Sequence, residues 1–549
     1  MKSFPDICRV LIFLFTAYML PLRAQTFPTP EYFQQIFRYP HVMTQLPGPQ
    51  SLDEYIVDGK LRLSLDDAIR LMLLNNTDVR IGQAQTDLSG FGITRAYSNF
   101  DPVLTASFLP QRSSQPTTSS LQGASTLSQL TQQTNFSYNQ LFQTGTNFAV
   151  GFTADRSTTN SSFALFNPSF NSGATFTVGQ HLLRGRGYII NHAPILIAQR
   201  TAKQSRANFE AQLNDSILGV VDQYWNLVQA KKNLAVVQDS LQLAEQSYNH
   251  DKRALELGAL SPLDIYRSEA TVAQRKLQLI QAEYAVKPLE DQFRRTVGAD
   301  LDSRAGALDL ELTASVEVSG ELASQDIPTA IEMAISKRPE LEAVRQQVAN
   351  DDTNVYVAHN NLQPDISLNG IYTSNGIGGN LLDTSGSAPV IVSRGGFLDA
   401  LSQVGGFGFP TYSVGINLRL PIKNHQAEAD LGSALVSKRG DLYQLRSRQQ
   451  AITLEVRNAV HQLESGKLSL TAAADALELA KKSLAADQRK YELGAETIFF
   501  VLDAQNTLEQ AQQSYVQAQV GYRLASAALD HATGDLLEHN RVVIADSIH

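Results

Sequence analysis

An internal duplication is the sequence feature that most restricts how this 549-residue chain can fold. Seven residues of the first half recur 236 positions later in the second half. The pairs are Asp251 and Asp487, Arg253 and Arg489, Glu256 and Glu492, Leu257 and Leu493, Gly258 and Gly494, Ala259 and Ala495, and Gly298 and Gly534. Nearer the front of each half, Ala68-Ile69 and Pro102 recur 262 positions later, as Ala330-Ile331 and Pro364. Fixed offsets of this kind predict two copies of one structural plan.

The pattern of each copy indicates a short helix, extended segments, a long helix, a tight turn and a second short helix. In the long helix of the first copy, apolar residues from Phe209 to Tyr248 recur every 3.55 residues on average. That spacing lies between the value of about 3.5 for a coiled coil and about 3.6 for a straight helix. It predicts a helix that lies along partner helices over its whole length.

Helix lengths suggest how these elements stack. The long helices are predicted at 194–257 and 427–493, and at about 1.5 Å per residue each measures roughly 95–100 Å. The short helices, predicted at 66–99, 262–296, 328–362 and 498–533, measure roughly 50 Å each. Two short helices placed end to end therefore match one long helix. This stacking requires sharp reversals at Gly258 and Gly494.

The extended segments alternate between apolar residues and small or polar residues. The clearest are 147–153, 174–179 and 412–420, and the residues near 104–108 and 366–372 repeat the pattern. Strands with one apolar and one polar face fit either a β-sandwich or a membrane β-barrel with a wet interior. The alternation alone leaves both architectures open.

The first copy has about 22 additional residues between Pro102 and His181. Segments 136–142 and 147–153 flank a turn at Gly145, which predicts an additional hairpin there. The first copy is therefore predicted to have four strands where the second has two. Three segments rich in Ser, Thr, Asn and Gly are predicted to be external loops: 113–133, 157–172 and 374–409.

The N-terminus indicates secretion. Lys2 and Arg9 flank a short polar region, and Val10 to Leu22 form an apolar run. This pattern is typical of a signal peptide cleaved after about Ala24; an uncleaved anchor is the alternative. Removal of residues 1–24, which carry a net charge of +2, changes the formal charge from −9 to −11. It also removes Cys8, the only cysteine, which excludes disulfides and thiolate sites from the mature chain.

The composition also argues against several classes of function. An acidic chain does not have the charge of a nucleic-acid binder. The ten His and five Met are scattered, and no Ser-His-Asp arrangement is evident. We therefore expect no enzyme activity, no catalytic, cofactor-binding or metal-binding residues, and no cofactor. Tyr224 and Trp225 lie at helical spacing and are predicted to pack in a core.

Several motifs together resemble the TolC-like outer-membrane efflux protein family over essentially the whole mature chain. They are Leu65-x-x-Ala68-Ile69 with Asn75-Asn76, His181-Leu182-Leu183-Arg184-Gly185, Leu257-Gly258-Ala259, and Tyr491-Glu492-Leu493-Gly494-Ala495. The resemblance implies a mainly α protein with membrane β structure. In that family three copies complete one β-barrel in the outer membrane, and their helices form a long periplasmic coiled-coil barrel.

The resemblance divides the chain as follows: signal peptide 1–24, N-terminal extended segment 25–64, first repeat 65–299, equatorial linker 300–327, second repeat 328–535 and C-terminal tail 536–549. The family norm is four strands per copy, so six strands would give eighteen in a trimer. Alternatively, the additional hairpin folds beside the barrel without joining it.

The resemblance implies the exit duct of a tripartite efflux or type I secretion system in the bacterial outer membrane. Its partners would be two further copies of the chain, outer-membrane lipid, a periplasmic adaptor and an inner-membrane pump. The implied adaptor-docking residues lie at the two helix turns: Leu257, Gly258, Ala259, Ser261, Asp264, Leu493, Gly494, Ala495 and Thr497. A secreted coiled-coil envelope scaffold or adhesin, which shares the long helices and the acidic charge, remains the alternative.

Overall fold

The structure is a computed structural model that describes residue 46 and residues 48–117, 124–258, 261–317, 325–386 and 389–542, except for the side chains of 262–264. All elements below belong to one compact unit, Ser51–His549. The predicted signal peptide lies outside the described residues, as does the end of the predicted C-terminal tail. Among the described residues, no helix is long and apolar enough to cross a membrane.

The described part of the chain contains ten α-helices and ten β-strands. The helices are α1 Leu65–Asn75, α2 Thr77–Tyr97, α3 Tyr188–Glu256, α4 Pro262–Val297, α5 Ile327–Lys337, α6 Pro339–Asn361, α7 Phe397–Gly405, α8 His425–Glu492, α9 Ile498–Thr533 and α10 Leu536–His539. The strands are β1 Ile56–Val57, β2 Lys60–Leu63, β3 Val103–Pro116, β4 Thr126–Leu141, β5 Thr146–Thr159, β6 Phe166–His181, β7 Asp309–Leu312, β8 Asp365–Asp383, β9 Val390–Ser393 and β10 Phe409–Arg419.

Two long helical hairpins dominate the unit. Helix α3 has 69 residues and packs against α4, while α8 has 68 residues and packs against α9. Helices α3 and α9 contact each other, so the two hairpins lie side by side. The predicted long helices are confirmed, although α3 begins six residues earlier than the predicted start at Pro194.

The predicted continuous helices at 66–99 and 328–362 are each wrong at one residue. Asn76 adopts an extended conformation between α1 and α2, and its side chain caps α2 by accepting from the backbone N–H of Asp78 at 2.9 Å. Arg338 is extended between α5 and α6 because the residue before a proline, here Pro339, is disfavoured in helical geometry. The two breaks are 262 positions apart, as the duplication requires.

Six strands form one antiparallel sheet in the order β10-β8-β6-β5-β4-β3, and β9 pairs with the far end of β8. The additional hairpin of the first copy is β4 with β5, and both strands pair along most of their length within this sheet. Four of the six strands connect to the helical part, all at the same end of the sheet: α2 and α6 lead into β3 and β8, and β6 and β10 lead into α3 and α8.

The predicted external loops are in large part wrong. Strands β3, β4, β5, β6 and β8 extend into the segments 113–133, 157–172 and 374–409, and the last segment also contains β9 and α7. Their Ser- and Thr-rich composition indicated loops, but polar side chains also suit strands whose faces contact water.

A small sheet and the main hydrophobic core lie near the middle of the helices. Strand β2 pairs with β1 and, in parallel, with β7 from the predicted linker 300–327. The Tyr224 hydroxyl donates to the carbonyl of Leu63 at 3.2 Å and accepts from the N–H of Ala314 at 2.9 Å. Tyr224 and its neighbour Trp225 are buried, which confirms the prediction that they pack in a core.

Candidate functional site

The six-stranded sheet has one apolar face. One row across it consists of Leu104, Tyr138, Val150, Phe176, Tyr372 and Tyr412, one residue from each strand. Adjacent rows add Phe136, Phe148, Phe152, Val178, Leu368, Val414 and Ile416. Since side chains alternate across a strand, these residues share one face and form an apolar band that crosses all six strands.

The opposite face of the same sheet is polar. Its corresponding row consists of Thr105, Ser137, Gly151, Thr175, Thr373 and Thr411. Hydroxyl groups on this face hydrogen-bond across strands, as between Thr105 and Ser137 at 2.6 Å and between Thr175 and Thr373 at 3.0 Å. A wall with one apolar and one hydroxyl-rich face can separate lipid from water.

Both edges of the sheet are open within the described residues. Edge strand β10 is exposed along its whole length, and edge strand β3 at all but one of its residues. Long exposed edges invite pairing with another chain. Because β3 runs away from the helices and β10 runs towards them, β3 of one copy and β10 of the next would be antiparallel.

The two helix turns carry the predicted docking residues. Gly258 and Gly494 adopt left-handed conformations with φ of 75° and 72°, which glycine adopts at little cost. After α8, the N–H of Gly494 donates to Tyr491 and the N–H of Ala495 donates to Lys490, both at 2.9 Å. This pair of bonds closes the end of the helix.

The structure exposes most of the predicted docking residues. Leu257 and Leu493 are 84% and 70% exposed. The exposed group also includes Gly258, Ser261, Gly494, Ala495 and Thr497. Ala259 and the side chain of Asp264 lie outside the described residues. Each turn thus presents a large apolar side chain to solvent.

Near the turns, a buried carboxylate links the two hairpins, and this link was missed by sequence reasoning. The Tyr491 hydroxyl of α8 donates to Asp251 Oδ1 of α3 at 2.7 Å. The Ser268 hydroxyl of α4 donates to the other carboxylate oxygen, and Asp251 is fully buried. Its repeat counterpart Asp487 is partly exposed and pairs with Lys490 instead. The matching aspartates indicated the duplication but not their different environments.

A second link lies farther from the turns. Arg275 of α4 forms an ion pair with Glu509 of α9, and both side chains are nearly inaccessible to solvent. Ser240 of α3 also donates to Glu509, at 3.2 Å. Burial lowers the pKa of Arg275. The ion pair and the hydrogen bond from Ser240 thus join the first hairpin to the second, and separating the hairpins here would break both contacts.

A third polar cluster joins α3, α8 and α9 near the middle of the helices. The His531 ring contacts Asp215 Oδ1 at 2.9 Å and Glu455 Oε1 at 3.2 Å, and Arg338 also donates to Glu455 at 2.9 Å. Burial lowers the pKa of His531, but the hydrogen bonds to Asp215 and Glu455 outweigh it and raise the pKa to about 9. Burial raises the pKa of Glu455, but the hydrogen bonds with His531 and Arg338 outweigh it and lower the pKa to about 2.

This cluster predicts a loss of stability in mild alkali. Protonated His531 stabilises the fold fully below its ordinary pKa of 6.5, and this contribution is lost as the pH rises through about 9. We expect His531→Gln to lower the free energy of unfolding by roughly 2 to 3 kcal/mol at pH 6 and by much less at pH 9.5. Thermal or denaturant unfolding at both pH values measures the difference.

The control is His461→Gln, which changes an exposed histidine of α8. It should follow the parent protein at both pH values. A constant difference between His531→Gln and the parent across this pH range would contradict the prediction. Among the described residues, this cluster included, no group of three or more His, Cys, Asp or Glu side chains could hold a metal ion.

Sequence comparisons relate the chain to proteins of the bacterial outer membrane. The family model described as "Outer membrane efflux protein" matches residues 330–535, which is the second copy. The outer membrane protein TolC of Vibrio cholerae is 23% identical over 350 residues, which cover 62% of this chain and 73% of that protein. The pyoverdine export outer membrane protein OpmQ of Pseudomonas aeruginosa is 22% identical over 379 residues, or 69% of this chain and 72% of that protein.

Solved structures extend the likeness of fold to nearly the whole chain. The outer membrane protein VceC of Vibrio cholerae covers 89% of this chain, which covers 99% of VceC, with a TM-score of 0.60 and 16% identity. The CmeC outer membrane channel of Campylobacter jejuni covers 93% of this chain, which covers 95% of CmeC, with a TM-score of 0.61 and 14% identity. Both copies therefore share the fold of these outer-membrane proteins, including the first copy, which the family model does not reach.

Proposed function

Because the chain belongs to the family of TolC-like outer-membrane efflux proteins, we propose that it is the outer-membrane exit duct of a tripartite efflux or type I secretion system. It is an outer-membrane protein with a large periplasmic part. In this proposal the duct conducts cargo passively. An inner-membrane pump supplies the energy, and a periplasmic adaptor joins the pump to the duct.

The observation that carries the proposal is the amphipathic sheet with two open edges. The apolar band suits contact with lipid acyl chains, and the hydroxyl-rich face suits a water-filled lumen. A single copy cannot close a barrel from six strands and leave a channel. Pairing of β10 with β3 of the next copy joins different surfaces head to tail, which generates a ring when the rotation closes.

We propose that three copies close this ring, as the family resemblance implies. Six strands per copy give an eighteen-stranded barrel. Two observations support the inclusion of β4 and β5 in the barrel wall. They lie inside the strand order, and they carry the same apolar band as their neighbours. The two hairpins of each copy then form a helical tube below the barrel.

The alternative, a coiled-coil scaffold or adhesin, would not need an apolar band on one face of its sheet. Fractionation separates the two. We expect the chain to remain with outer-membrane detergent extracts, to run as a heat-sensitive trimer and to conduct ions in planar bilayers. Release by salt or urea, with no conductance, would favour the scaffold.

The proposed adaptor-docking surface consists of the turns at Leu257 and Leu493. Both side chains are exposed although each would gain about 1.5 to 3 kcal/mol on burial. We therefore expect the double variant Leu257→Glu and Leu493→Glu to weaken adaptor binding by about a hundredfold or more, because two apolar contacts are replaced by charges. Binding of the purified adaptor to the purified trimer measures the effect.

The matched control is Leu454→Glu, at an exposed position of α8 far along the chain from either turn. It should bind the adaptor as the parent does, and both variants should still form trimers. Unchanged affinity of the double variant would remove these turns from the docking surface.

A further inference from the structure

Helix α7 lies on the apolar face of the sheet at the end farthest from the long helices, and β9, in the same segment 390–407, pairs with the end of β8 there. Ser374, Gly376 and Gly378 of β8 face the same side as Tyr372, because alternate residues of a strand share a face. Helix α7 packs against this part of β8 and against β6. The ring of Phe407 lies beside that of Tyr372, with centroids 6.1 Å apart, and the ring of Phe397 lies beside that of Phe170, with centroids 6.5 Å apart.

Helix α7 is held firmly in this position. A Cβ atom at Gly376 or Gly378 would overlap the carbonyl oxygen of Ala400 or Gly396, so the two glycines make room for the close approach of the helix. The Ser374 hydroxyl donates to the carbonyl of Val404 at 2.8 Å. Gln403 exchanges two hydrogen bonds with the backbone of Ile377, at 3.0 and 2.9 Å.

The outward side of this docked segment is unusually apolar. Ala400 and Val404 face the sheet and are buried, whereas the neighbouring arc of α7 exposes Phe397, Leu398 and Leu401. Leu398 is 75% exposed. Strand β9, which precedes α7, exposes Val390 and Val392 on one face and Ile391 on the other, and the turn after α7 exposes Phe407.

The exposed half of α7 is itself divided into two arcs. At about 100° per residue, Phe397, Leu401 and Leu398 occupy one arc, while Ser402 and Asp399 occupy the other. Both polar side chains are exposed. A helix with adjoining apolar and polar arcs is suited to a boundary between acyl chains and water.

We propose that β9 and α7 form a lipid-contact element, with the apolar arc inserted among the acyl chains of the outer leaflet of the bilayer. The inference rests on the proposed function, because it takes the apolar band as the surface that faces lipid. Two observations favour lipid over a second copy of the chain. The patch continues the band on the same face, and α7 and β9 cover β8 beyond Asn375, where β10 no longer pairs with it. The backbone of Ile377 in this stretch already bonds to Gln403, so it does not offer its edge to another chain.

Tryptophan variants with quenching lipids test this proposal. Leu401→Trp places the probe on the apolar arc, and Ser402→Trp, about 100° away around the helix, is the matched control on the polar arc. Phe176→Trp serves as the reference within the band. Each variant trimer is reconstituted into phosphatidylcholine vesicles with brominated acyl chains, and the constant signal of the buried Trp225 is subtracted by means of the parent protein.

We expect Leu401→Trp and Phe176→Trp to be quenched severalfold more strongly by the brominated chains than Ser402→Trp. Iodide in the buffer should quench Ser402→Trp most strongly. If Phe176→Trp is quenched but Leu401→Trp is not, the lipid-contact element is wrong and the proposed barrel stands. If neither is quenched by brominated lipid, the proposed function fails as well.

Discussion

Replacement of residues 117–163 by the dipeptide Asn-Gly is expected to give a trimer whose barrel is about two-thirds as wide as that of the parent. The replacement removes β4 and β5 and leaves four strands per copy, hence twelve in the trimer, and barrel diameter grows roughly linearly with strand number. Asn-Gly is the preferred two-residue connection between antiparallel strands. Cryo-electron microscopy of end-on particles and exclusion of polymers of graded size measure the width.

The register of the sheet makes this deletion feasible. Leu104 of β3 and Phe176 of β6 already lie in one row, connected through Tyr138 and Val150. Direct pairing of β3 with β6 in that register brings Pro116 opposite Ala164, which a two-residue turn can join. The apolar residues of both strands then remain on the same face.

The control replaces only residues 118–123, between β3 and β4, by Asn-Gly. All six strands remain, so the barrel should keep the width of the parent. If the deletion of 117–163 also left the width unchanged, the hairpin would lie beside the barrel rather than in its wall.

Tyr491→Phe is expected to favour separation of the two hairpins near the helix turns. The variant removes only the hydroxyl that donates to the buried Asp251 between the two hairpins. A hydrogen bond to a charged group contributes about 1.5 to 3 kcal/mol, so its loss favours separation of the hairpins about ten- to a hundredfold. If the turns close the periplasmic end of the duct, single channels in planar bilayers should spend correspondingly more time at high conductance.

Tyr443→Phe is the matched control, because it removes the hydroxyl of an exposed tyrosine of the same helix. It should retain the open probability of the parent. If the open probability of Tyr491→Phe equalled that of the control, the contact with Asp251 would not hold the two hairpins together near the turns. The intact ion pair of Arg275 with Glu509 should keep the two hairpins of each copy together farther from the turns in both variants.

The helical part of the fold was largely accessible from the sequence. Helical spacing over 40 residues distinguishes a long helix from other elements, and the predicted helices at 262–296 and 498–533 agree with α4 and α9 within one residue. The break at Arg338 was readable in principle from Pro339. The break at Asn76 was not, because it depends on a side-chain cap and on a bond from Asn76 to the carbonyl of Thr296 in α4.

The sheet was harder to predict where both of its faces contact water. Alternation of apolar and polar residues identified the middle of each strand, but the strand ends have the composition of loops. The small sheet was missed because β1, β2 and β7 have only two to four residues each. Helix α7 was missed because its apolar pattern covers only nine residues within a glycine-rich segment.

The candidate site shows a different limit of prediction from the sequence. The glycines of the turns could be identified because their repetition and their conformation have one cause, the reversal of the chain. Asp251 and Asp487 are the same residue at equivalent positions, yet only Asp251 is enclosed by a neighbouring hairpin. Their difference arises from the contact of Asp251 in α3 with Tyr491 in α8, which no pattern within a single copy specifies.

Cryo-electron microscopy of the protein in lipid nanodiscs tests the central claim most directly. The account predicts a three-fold particle with a ring of eighteen strands in the lipid, a helical tube beneath it and a continuous solvent-filled axis. A monomeric particle, or a trimer whose strands do not join into one ring around that axis, would contradict it.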